Sequence, residues 1–75
     1  MEKLISYIEM ELKWAKLEPK TAESNFHNAF GAVQFYAIEH TLGGEDYTEL
    51  ETMWNNTYRP QFEAIMYGGD VNVEA

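Results

Sequence analysis

Apolar residues in this chain recur at steps of three and four in three stretches, separated by Pro19 and by the pair Gly43-Gly44. A period near 3.6 is the mark of an amphipathic helix, so the pattern predicts an all-α chain. The first stretch contains Met1, Leu4, Ile5, Ile8, Leu12 and Ala15, with no Gly or Pro between them, and predicts a helix over residues 2 to 17. A second set, Tyr7, Met10, Trp14 and Leu17, follows the same spacing on a neighbouring side. At about 100° per residue the two sets cover more than half of the circumference, too much for a helix with a single neighbour.

Pro19 ends this helix, because the residue before a proline is pushed out of the helical region, and Thr21 stands where it can cap the next one. Helix two is expected over 21 to 42. Its main stripe is Ala22, Phe26, Ala29, Phe30, Val33 and Ala37, while Gly31, Phe35, Ile38 and Leu42 line the opposite face of its second half. Two stripes on one helix predict that it is the central, most buried element. Gly31 costs about 1 kcal/mol against alanine inside a helix, so it marks either a close helix crossing or a tolerated accident.

Gly43-Gly44 supplies a helix stop, and Asp46 with Glu49 has capping-box spacing, which starts helix three, over 46 to 67. Its stripe of Tyr47, Leu50, Trp54, Tyr58, Phe62 and Ile65 runs in phase through Pro60. An interior proline removes one hydrogen bond and crowds the preceding turn, so a kink or break is expected near Tyr58 to Pro60. Gly68-Gly69 ends the helix, leaving 68 to 75 as a polar tail expected to be mobile. The architecture expected is one domain over 1 to 67, a helical hairpin plus a third, kinked helix, completed as a bundle by dimerisation.

The dimer follows from size. A 75-residue chain buries about 60% of its unfolded surface. At about 25 cal/mol per Å² the apolar share contributes on the order of 110 kcal/mol. Ordering the chain costs about 1.5 kcal/mol per residue, a similar total. With no cysteine the chain has neither disulfides nor the best structural zinc ligands, which leaves oligomerisation. The surplus apolar faces place the interface at Tyr7, Met10, Trp14 and Leu17 of helix one and at Phe35, Ile38 and Leu42 of helix two. A closed two-fold dimer is the commonest use of such surplus.

Charge narrows the partners. Residues 1 to 20 carry four Glu and four Lys, so the whole net charge of −8 falls in residues 21 to 75, where Arg59 is the only basic residue. Such a field repels phosphate backbones, which excludes direct nucleic-acid binding. No run approaches the roughly 20 apolar residues of a membrane span, and the start lacks the basic flank and apolar core of a signal peptide. A cytoplasmic location is expected.

Catalytic and metal chemistry find little support. Glu23 and His27 share a helix face at a spacing that suits two metal ligands, but no HExxH or ExxH pattern supplies the rest, and a solvated polar face is the simpler reading. Glu45, Asp46, Glu49 and Glu51 lack the order of a calcium loop and are stabilised by the dipole at the helix start. There is no cysteine nucleophile and no phosphate-binding Gly-rich loop, so no enzyme, cofactor or metal is expected.

The segment Trp54 to Phe62 has two readings. Trp54, Tyr58, Arg59 and Phe62 form either a partner surface, given the enrichment of Trp, Tyr and Arg at binding hot spots, or a core stripe interrupted by a proline. In general character the chain resembles the small accessory proteins of bacteria and their phages, a likeness that assigns no residue a role. The function expected is homo-oligomeric protein interaction, with an unidentified protein partner. Two alternatives are an acidic decoy for a basic partner and a carrier of an apolar ligand.

Overall fold

The computed structural model describes residues 2–42 and 48–67, of which 97% are helical, with no strand among them. Against an average near one third, this defines a small all-α fold of three helices. Helix α1 (Glu2–Leu17) buries Leu4, Ile8, Leu12 and Ala15, spaced by four, four and three residues, and carries Glu2 in its first turn and Lys16 in its last, each suited to the dipole there. Glu18 leaves the helical region at φ −135°, ψ 81°, as the proline after it requires. Pro19 then opens a 3₁₀ turn, Pro19–Thr21, that runs directly into α2 (Ala22–Leu42).

The hydroxyl of Thr21 lies 2.8 Å from Asn25 Oδ1 and 3.0 Å from the Glu18 carbonyl, and its one proton serves these acceptors. It ties the turn together as a donor in these bonds, where the sequence suggested an acceptor at a helix cap.

The third helix is built of three consecutive pieces: α3 (Thr48–Met53), a π turn over Trp54–Tyr58, and α4 (Arg59–Met66). The Arg59 amide donates to the carbonyl of Trp54, five residues back, and Met53, Tyr58 and Arg59 all stay in the right-handed helical region. The wide turn is how the chain accommodates Pro60, which has no amide to donate and whose ring would crowd the carbonyl four residues before it. It also corrects the phase. In an α-helix each four-residue step drifts by about 40°, and the extra residue of the π turn cancels this, so Leu50, Trp54, Tyr58 and Phe62 are all buried.

Those four meet α1 and α2 in a single core. Phe26, Phe30, Trp54 and Phe62 form an aromatic cluster joining α2 to the third helix, with Phe30 and Trp54 stacked at 5.8 Å and Phe26 edge-on to Phe62 at 5.8 Å. Offset and edge-to-face pairs of this kind add about 0.5–1.5 kcal/mol beyond the area they bury.

Two expectations about helix two need correction. It is not the most buried element: only Ala22, Ala29 and Val33 are buried in it, and the largest fully buried side chains are Trp54, Phe62, Ile8 and Leu50. Among the described residues no fourth helix covers the outer face of α2. Gly31 does not mark a crossing among the described residues either, because a Cβ built on it meets none of them within 4 Å. Gly43-Gly44, Glu45, Asp46, Tyr47 and the segment 68–75 lie outside the described residues.

Candidate functional site

All seven residues expected at an interface are exposed large hydrophobics. On α1 they run from Tyr7 at 36% to Leu17 at 62% exposed, with Trp14 at 54%; on α2 Phe35 stands at 63% and Leu42 at 85%. Tyr67, just past α4, is also exposed and was missed by the sequence reading, since it follows the last step of the stripe. A lone leucine in water needs no explanation, but a run along two packed helices does.

The second candidate group is dispersed by the fold. Trp54, Tyr58 and Phe62 are buried in the core, so of the two readings of this segment the core stripe holds. Arg59 alone reaches the surface, where Nε donates to Glu63 Oε2 at 3.0 Å and the guanidinium lies 5.9 Å from the Phe30 ring centre. The indole Nε1 of Trp54 is buried without a hydrogen-bond partner among the described residues.

Polar links hold the exposed stripe in place from behind. Glu11 is the one charged residue buried among those described, at 6% exposed, and it accepts a 2.8 Å hydrogen bond from Asn25 Nδ2 of α2. It was passed over because it is charged, although it stands three residues after Ile8 and four before Ala15 on the core face. Tyr7 hydrogen-bonds to the same carboxylate, and that bond, with burial and the negative charge, pushes its phenol above the ordinary 10.0. On the other flank the Tyr58 hydroxyl donates to Glu9 Oε2 at 2.8 Å, joining the third helix to α1, and this bond likewise raises the Tyr58 phenol.

The remaining candidates are surface features. His27 and Glu23 form an exposed pair at 4.0 Å, and among the described residues no group of three or more metal-ligating side chains comes together. Glu49 and Glu51 are exposed at the start of α3. Between α2 and α3 runs an open groove of about 510 Å³, lined by Phe30, Ile38, Leu50 and Trp54 with Gln34 and Arg59. No helix among the described residues is long and apolar enough to cross a membrane. No family model, curated protein or solved structure matches the chain.

Proposed function

We propose that this is a non-enzymatic, cytoplasmic interaction protein that assembles with itself, as a dimer, and engages protein partners through its apolar helix faces. The observation that carries the reading is the set of seven large hydrophobic side chains left exposed on α1 and α2. The polar bonds of Tyr7, Glu11 and Asn25 lie at the edge of that run and fix the two helices that bear it. A pre-formed surface loses little freedom on association, which favours binding.

The test is a pair of charge insertions, Trp14→Glu and Phe35→Glu. Both positions are exposed, so helix content by circular dichroism stays unchanged while assembled mass falls; assembly that tolerates both changes refutes the reading. The groove between α2 and α3 supports a second reading, a carrier of an apolar ligand, and native mass spectrometry of the purified protein distinguishes it by a bound small molecule.

A further inference from the structure

The outer face of α2 carries a stripe of its own. At about 100° per residue, Gly31, Phe35, Ile38 and Leu42 fall within an arc of about 60°, opposite the buried Ala22, Ala29 and Val33. The core side of α2 receives α1 and the third helix, while on the outer side Phe35, Ile38 and Leu42 stand 63%, 58% and 85% exposed. Ile38 forms one edge of the arc, at the rim of the groove toward α3, and Phe35 forms the other. Gly31 and Leu42 lie near its midline, and a Cβ on Gly31 would stand in space free of the described residues.

The stripe is symmetric about one point. At about 1.5 Å per residue, Phe35 and Ile38 stand about 2 Å to either side of a level between residues 36 and 37, and Gly31 and Leu42 stand about 8 Å to either side of the same level. We infer that this face of α2 packs antiparallel on the same face of a second copy, about a two-fold axis crossing α2 at that level. The inference rests on the assembly reading above and confines the self-contact to α2.

The axis sets Leu42 of each subunit over Gly31 of the other, so the large side chain on the midline meets the position that has none. Ile38 of one subunit enters the hole between Gly31, Gln34, Phe35 and Ile38 of the other. Phe35 enters the hole between Phe35, Ile38, Glu39 and Leu42. Both holes have the spacing by which packed helices receive a neighbour's side chain. Because Phe35 and Ile38 occupy opposite edges of the arc, the two that share a level pass beside each other without collision. A two-fold contact makes every such pairing twice.

The area sets the strength. Burying apolar side chains of this size removes roughly 100 Å² each from water, so three give about 300 Å² per subunit before the polar rim is added. This is the small class of interface, below about 1,200 Å² in total, and describes a reversible dimer.

Exchanging the large and the absent side chain tests the contact. Gly31→Leu and Leu42→Ala change exposed positions, and losing a glycine favours the helix, so each variant folds. Sedimentation should show each single change raising the dissociation constant tenfold or more, and the double variant returning to within about threefold of wild type. The chain has no cysteine, so F35C should link to itself through a short bismaleimide, whereas L42C should not, its two copies lying about 16 Å apart along the helices. A double variant that assembles no better than the worse single variant refutes the placement of Leu42 over Gly31. A dimer that ignores Gly31→Leu, or in which L42C self-links and F35C does not, refutes the α2 contact and leaves assembly standing. Wild-type protein that sediments as a monomer throughout refutes both.

Discussion

The Tyr58 hydroxyl donates a 2.8 Å hydrogen bond to Glu9 Oε2, joining residues 49 positions apart in the chain. It is the described side-chain bond that ties the third helix to the first, and it makes a phenol prefer to keep its proton. Because the folded state holds that proton more tightly than the unfolded chain, whose phenol titrates near 10.0, stability is full below about pH 10 and falls as pH rises from there through the higher folded value. Tyr7, raised by Glu11, adds to the same loss. Urea unfolding from pH 8 to 11 should show this decline, and Tyr58→Phe should flatten it while costing about 0.5–1.5 kcal/mol at pH 8, since the exposed Glu9 carboxylate returns to water.

Asn25 matters more than its half-exposed position implies. Replacing it with alanine leaves the buried Glu11 carboxylate without its amide donor, and a hydrogen bond to a charged group contributes about 1.5–3 kcal/mol. Asn25→Ala should therefore destabilise the fold by about that amount at neutral pH. Glu11→Gln, which keeps an acceptor for Asn25 and removes the buried charge, should cost less, and equilibrium denaturation of both variants checks the order.

Phe62→Ala and Trp14→Ala should separate core from surface. The buried ring of Phe62 packs against Phe26 and Trp54, and its loss should cost about 3–5 kcal/mol, much of the stability of so small a domain. Trp14→Ala should change the melting of a dilute sample by less than about 0.5 kcal/mol. If Trp14 is an interface anchor, the same change should weaken assembly by about 2 kcal/mol, some thirtyfold.

Much of this fold was legible because apolar spacing and the two helix breakers act locally. Pro19 sets a boundary by clash with its own neighbour, and the steps from Leu4 to Ala15 and from Leu50 to Phe62 mark core faces whatever packs on them. The response to Pro60 was not legible, because a kink, a break and a wide turn all relieve the same clash, and the choice depends on keeping Trp54, Tyr58 and Phe62 on one face. For the same reason the surplus on α1 and α2 could be read as exposed, whereas the aromatic residues of the third helix look alike in sequence whether a core or a partner receives them. Glu11 escaped notice because it is charged: its place on the core face is local and legible, whereas its partner Asn25 lies fourteen residues away and no local pattern links the two.

Sedimentation equilibrium of the wild-type protein across a dilution series, from hundreds of micromolar to below one, tests most directly the claim that the exposed stripe serves assembly. The account predicts a mass that rises from 8.7 kDa toward twice that value, with a midpoint at or below tens of micromolar, roughly −6 to −7 kcal/mol of association. A mass that stays at 8.7 kDa across the whole range would contradict it.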